Sequence, residues 1–316
     1  MNSNRTAMFN YIFFVIAAVA LWMLSTIADA APVIGEAHSN TAAADFRARH
    51  DAMLGQFAAS PFKRPLVLES QHGSNTVKGD IYAVILHPFG KVNTALGGSE
   101  AWCDILILHL NTKYCRVLRE GPATTLQMNV GKKFDQPLED SYRLTFAWRT
   151  VVQRADYLKV NLMADSGPIG TRNYRITLEA VPLEGGRTFL HLGYSYGFGA
   201  TGHLAMKAYL STIGRNKVGF TVAGKEADGQ PVYVNGMRGL VERNTMRYYL
   251  AIEAYLGAMT LPPRAQFEKR INDWIAAVER YPRQLHEMEQ AAYLEMKRKE
   301  YRRQQADEKE ILRTQG

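Results

Sequence analysis

The sequence predicts an α+β fold: a curved antiparallel sheet gripping one long helix, with extra C-terminal helices. Three observations predict it. Between about residues 116 and 223, apolar residues recur at every second position, the spacing of half-buried strands. From 237 to 259 the period becomes helical, and Pro262-Pro263 closes that segment. The strand patterns are separated by short turn clusters and not by helices, so successive strands pair antiparallel.

Taken in order, residues 1–30 read as a signal peptide. Arg5 supplies a positive start, Tyr11 to Leu24 is an apolar run of 14, and Ala28-Asp29-Ala30 is an A-x-A cleavage site. A helix of that length spans about 21 Å, short of the roughly 30 Å hydrocarbon core. The expectation is an exported protein of the bacterial periplasm. The alternative is a chain tethered to the membrane by an uncleaved N-terminal segment.

Residues 31–75 read as a small, polar, Ala-rich N-terminal arm with one helix over 43–57. The main α+β domain is placed at 76–260. It opens with Val77, Gly79, Ile81, Ala83 and Ile85 alternating with Lys78, Asp80 and Tyr82, a strand that ends at His87-Pro88. Pro88 suits the start of a helix, which Phe89, Val92 and Leu96 continue to Gly97-Gly98. Ser99 can cap a second short helix carrying Trp102, Ile105 and Leu106.

The meander follows. Its alternating sets are Leu126, Met128, Val130; Leu144, Phe146, Trp148; Leu158, Val160, Leu162; Tyr174, Ile176, Leu178; and Leu190, Leu192, Tyr194, Tyr196. In the helix from 237 to 259, Val241, Thr245, Tyr248, Ile252, Tyr255 and Met259 form one stripe, with Glu242, Arg243 and Arg247 off it. Residues 261–316 form a C-terminal helical extension, with helices over about 264–280 and 283–304. The last is dense in both charge signs, with a broken apolar stripe, and reads as a surface helix or partner-facing arm.

The composition excludes several function classes. With 47% hydrophobic and 22% charged residues in 316, the chain is globular and neither disordered nor fibrous. Lys and Arg exceed Asp and Glu by 38 to 30, but no block of like sign marks a nucleic-acid arm. Cleavage after Ala30 would remove Arg5 and Asp29 and leave the +8 unchanged, so the basic character belongs to the exported part, where peripheral membrane contact is one outlet.

The motifs are few. Cys103 and Cys115 are the two cysteines, and an oxidising compartment favours a bridge between them. Two unpaired thiols, or a Cys103 nucleophile using His109, are the other readings; on one helix a spacing of six turns those two side chains about 240° apart. Gly197-Phe198-Gly199-Ala200-Thr201-Gly202 has the form of a dinucleotide fingerprint, with Glu226 downstream. That site needs further parallel strands, which the pattern does not supply, so these glycines read as a bend at the sheet end or a cavity mouth. Ser195 lacks the first glycine of G-x-S-x-G, and the histidines have no ligand spacing. No cofactor, metal site or catalytic residue is assigned. His191 shares a strand face with Phe189 and Gly193 and either lines a cavity or faces solvent.

The aromatic residues carry more. Phe146, Trp148, Tyr174, Tyr194 and Tyr196 alternate along strands, and Tyr248 lies on the helix. A sheet curved around that helix would enclose an apolar space fringed by hydroxyls, suited to a hydrophobic ligand; the same residues could equally just fill the core. Arg247, with Arg243 and Asn244, could hold a ligand carboxylate or phosphate, or instead cap a loop or pair with Glu242 or Glu253.

The order of strand, two short helices, long meander and long helix resembles the START-like helix-grip (SRPBCC-type) family of lipid-transfer and polyketide-cyclase relatives. The residues that carry it are Val77 to Leu86, His87-Pro88-Phe89 with Val92 and Leu96, and Trp102 with Ile105. The resemblance covers roughly residues 75–260. It implies that a lipid or other hydrophobic small molecule is held between the sheet and the helix at 237–259, and it transfers no catalytic residue. The long sheet region and the helices after 264 depart from the family's minimal form. A cyclase- or hydrolase-like enzyme using His191, His109 or Asp104 is the alternative, and an envelope scaffold whose C-terminal helices engage a protein partner is a second.

Overall fold

The computed structural model describes residues 33–200, 202–204, 208 and 215–315. The signal segment read at residues 1–30 lies outside the described residues. The chain divides into two compact units, Met1–Ala44 and Asp45–Gly316. The described part of the first is the beginning of helix α1 (Val33–Ala52), and the second holds every other element.

The elements after α1 are α2 (Leu54–Ala58), β1 (Leu66–His72), β2 (Thr76–Ile85), α3 (Phe89–Leu96), α4 (Ser99–Leu106) and the strands β3 (Thr112–Glu120), β4 (Ala123–Val130), β5 (Tyr142–Gln153), β6 (Leu158–Ser166), β7 (Thr171–Leu183) and β8 (Arg187–Phe198). A small hairpin, β9 (Val222–Lys225) and β10 (Pro231–Tyr233), precedes α5 (Gly236–Ala258), α6 (Pro263–Val278), α7 (Pro282–Leu285) and α8 (Gln290–Gln315). The first eight strands form one sheet in the order β1-β2-β8-β7-β6-β5-β4-β3, antiparallel throughout. Irregular registers in β3, β5 and β7 bend it, as bulges do. The glycine series from Gly197 therefore follows an antiparallel strand, and the parallel surroundings of a dinucleotide site are missing from this sheet.

The amphipathic patterns fold as their periods require. Helix α3 buries Phe89, Val92, Ala95 and Leu96, the i, i+3, i+6, i+7 face. Strand β6 buries Leu158, Val160, Leu162 and Ala164 and leaves Lys159, Asn161 and Met163 half-buried. Helix α5 packs across β1, β2 and β8. At the crossing a Cβ on Gly79 would lie 2.3 Å from Thr245 Oγ1, so only glycine admits the helix this closely.

Four features differ from the sequence reading. A strand, β1, lies within the stretch read as an arm; only Leu66 in it is fully buried, which blurs the alternation. The strand pattern read as far as about residue 223 breaks off after β8, and pairing resumes only from Val222 onward, in a separate hairpin. The charges off the stripe of α5 are buried, not solvated: Glu242, Arg243 and Arg247 are at most 1% exposed. Glu242 accepts from the Phe220 and Thr221 amides (2.6 and 2.9 Å), and Arg243 donates to the Val218 carbonyl (3.1 Å), because residues 218–221 cover that side. Finally, α8 is more than a surface helix, since Tyr293, Met296, Lys297, Glu300 and Gln304 are buried against the end of α4 and β3. Among the described residues no helix is long and apolar enough to cross a membrane.

A donor-lined candidate ligand site on the concave face

Strand register assembles the predicted aromatics. Trp148 pairs with Leu162, Leu162 with Ile176 and Ile176 with Tyr194, giving one row across β5, β6, β7 and β8. Two residues along, Ala164 pairs with Tyr174, placing Phe146, Ala164, Tyr174 and Tyr196 in the adjoining row. The rings touch accordingly. Tyr174 stacks on Tyr196 at 5.3 Å between centroids, Phe146 meets Tyr174 edge-on at 6.3 Å, and Tyr194 lies 5.7 Å from Tyr196. From α5, Tyr248 meets Tyr194 edge-on at 5.2 Å, and its other neighbour is the His109 imidazole, stacked at 4.9 Å. Five of the seven residues predicted to bind ligand thus lie on this one sheet face and a sixth, Tyr248, meets them from α5; Phe146, Tyr174, Tyr194, Tyr196 and Tyr248 are in direct ring contact.

Hydrogen bonding sets this cluster apart from ordinary core. Phe146, Tyr194 and Tyr196 are buried, while Trp148, Tyr174 and Tyr248 stay half-buried. The Tyr174 hydroxyl donates to Thr171 Oγ1 (2.8 Å). Among the described residues the Tyr194, Tyr196 and Tyr248 hydroxyls make no hydrogen bond; burial raises the pKa of each, so all stay protonated donors. The Trp148 Nε1–H is buried without a partner among the described residues. His109 is 3% exposed, and its Nδ1 accepts the Asn111 amide (3.2 Å), which assigns the proton to Nε2. That Nε2 is also unpartnered; the Asn244 amide lies beside it outside hydrogen-bonding geometry. Burial, with Arg247, Lys297 and Lys133 nearby, drives the His109 pKa well below its ordinary value and keeps the ring neutral.

Arg247, the seventh predicted residue, is committed elsewhere. It donates to Glu287 Oε1 (2.8 Å) and the Leu285 carbonyl (3.2 Å), and so ties α5 to the segment after α7. Lys133 and Lys217 reach the same carboxylate at 2.7 and 3.3 Å. Burial would raise the Glu287 pKa, but the cations, Arg247 first, bring it to about 2; burial brings Lys133 down to about 8 against the pull of Glu287. This tie was not readable in advance, because Glu287 lies 40 residues from Arg247 and the sequence offered only Glu242 and Glu253 nearby.

The titratable residues of the enzyme alternative do not converge. Asp104 pairs with Arg270 (2.6 Å), and His109 faces Tyr248. His191 neither lines this site nor faces solvent. It is 8% exposed on the opposite face of the sheet, between Asp80 (2.8 Å) and Glu179 (3.1 Å) and under Phe46 and Tyr82. Cys103 and Cys115 form a buried disulfide that joins α4 to β3, which removes the reading of Cys103 as a nucleophile.

No family description and no curated protein matches the chain in sequence. Among solved structures it is similar to norcoclaurine synthase from Thalictrum flavum (13% identity, 46% of this chain and 90% of that one, TM-score 0.33). It is also similar to the Zhui aromatase/cyclase from Streptomyces sp. R1128 (14%, 65% and 95%, TM-score 0.31) and to human StAR-related lipid transfer protein 5 (9%, 55% and 90%, TM-score 0.30). The element order of this chain is a helix-grip arrangement: strand, two short helices, antiparallel meander and a long helix packed across the sheet.

Proposed function

We propose that the chain binds a lipid or other hydrophobic small molecule between the concave face of the sheet and α5, and that this molecule carries hydrogen-bond acceptors. The observation that supports this reading is the donor set. Buried polar groups in folded proteins are hydrogen-bonded with few exceptions, yet among the described residues the His109 Nε2–H and the Trp148 Nε1–H are buried without a partner, and the Tyr194, Tyr196 and Tyr248 hydroxyls beside them make no hydrogen bond. All five carry a hydrogen to donate and two, the imidazole and indole N–H groups, can only donate, so a carbonyl, ether or carboxylate on an apolar body is the complement we propose. Export to an oxidising compartment belongs to the same proposal and accords with the disulfide.

Native mass spectrometry with lipid extraction, on protein purified from an envelope fraction, tests it. An apolar molecule should co-purify, and its occupancy should fall about tenfold in a Tyr194→Phe/Tyr248→Phe variant, since each lost hydrogen bond removes about 0.5–1.5 kcal/mol. Repeated absence of any bound molecule would overturn the reading.

A further inference from the structure

A second concavity lies away from the tyrosine cluster, between the outer edge of β1, the β9–β10 hairpin and α7. Its volume is about 610 Å³, within the roughly 300–1,000 Å³ of small-molecule sites. Its walls are aromatic. Phe62, Phe220 and Tyr281 meet one another at 5.5–5.9 Å between ring centroids, two of the three contacts edge-on, and Tyr233 closes the opposite side. The charge lining it has one sign: Arg280 and Arg283 are both exposed at its rim, and no acidic residue lines it. The Arg283 guanidinium lies over the Tyr233 ring, 4.9 Å from its centroid, and so is held at the aromatic wall.

We propose that this groove is a second binding site, taking a small amphiphile with one anionic group, an aryl or acyl carboxylate or its sulfonate equivalent. The apolar body stacks among Phe62, Phe220 and Tyr281, and the anion meets the two guanidiniums, whose planar forks suit carboxylate oxygens. A cationic amphiphile of equal length finds the same apolar contacts and the wrong charge. The site shares no lining residue with the tyrosine cluster, so either can be occupied or lost without the other.

Fluorescence titration of the folded chain with 1-anilinonaphthalene-8-sulfonate tests this, with decanoate and decyltrimethylammonium as competitors. We expect a saturable component that decanoate displaces and decyltrimethylammonium does not, separable from any binding at the tyrosine cluster by the two sets of variants. Affinity should fall at least tenfold in an Arg280→Glu/Arg283→Glu variant, whose two changes are at exposed positions and leave the circular dichroism and melting temperature as they were. It should hold in the Tyr194→Phe/Tyr248→Phe variant. Equal displacement by both competitors, unchanged affinity after the double charge reversal, or loss of binding with the tyrosine changes would each overturn the proposal.

Discussion

His191 is held by charge from both sides. Burial alone would lower its pKa, but the hydrogen bonds to Asp80 and Glu179 outweigh burial and raise it. Burial would likewise lift both carboxyls, and His191 brings them down, with Lys78 for Asp80 and with Tyr157 and Lys159 for Glu179, which reaches about 2. The carboxylates therefore contribute stability above their unfolded values near pH 4, lost as pH falls through the lowered folded values. His191 contributes below its unfolded value near pH 6.5, and that is lost as pH rises through its raised folded value. We predict that urea unfolding at pH 5.5 finds a His191→Gln variant about 3 kcal/mol less stable than wild type, and that the gap narrows at pH 8.5. A gap of equal size at both pH values would sink this account. That His191 shares a face with Phe189 was legible from alternation. Its partners were not, because Asp80 and Glu179 are brought to it by pairings with β2 and β7 across as many as 111 residues of chain.

Among the elements, α8 covers one end of the sheet. Strand β3 is an edge strand, and the Cys115 amide donates to Gln304 Oε1 (3.1 Å) from α8. Beside it the Glu300 carboxylate takes Lys113 (3.0 Å) and Lys297 (2.7 Å), all three fully buried, while both ammoniums also donate to carbonyls of residues 109–112. Glu300→Gln would leave two buried ammoniums without their anion, and we expect a loss of about 3–5 kcal/mol in chemical denaturation. Deleting 290–315 would bare a strand edge and the apolar surface under Tyr293, so size-exclusion chromatography should find aggregates where the full chain elutes as a discrete species. The bridge that ties this strand to α4 can be removed as Cys103→Ser/Cys115→Ser, which should cost about 3 kcal/mol, measured by thermal unfolding against the oxidised protein. Strands β5 and β6 and helix α3 were legible because each has one buried face and a clean period, while α5 and β8, buried on more than one side, were legible from their apolar content and the breaks that bound them. Helix α8 was legible only as a helix. Its contacts are made by Lys297 and Glu300, which pattern reading assigns to solvent, since buried charges are rare unless paired.

Across the whole molecule, the two ends of the sheet are treated differently. At the β3 end α8 closes the edge; at the β1 end the aromatic groove lies against it. Between them α5 is seated on Gly79, where Gly79→Ala should cost about 1–3 kcal/mol through the clash with Thr245, and Thr245→Ala should restore part of it in a double-mutant cycle. This seat also fixes how the helix can move. A helix riveted to β2 at one point cannot lift bodily from the sheet without breaking its tightest contact, so any opening between the two would have to pivot about Gly79 and Thr245.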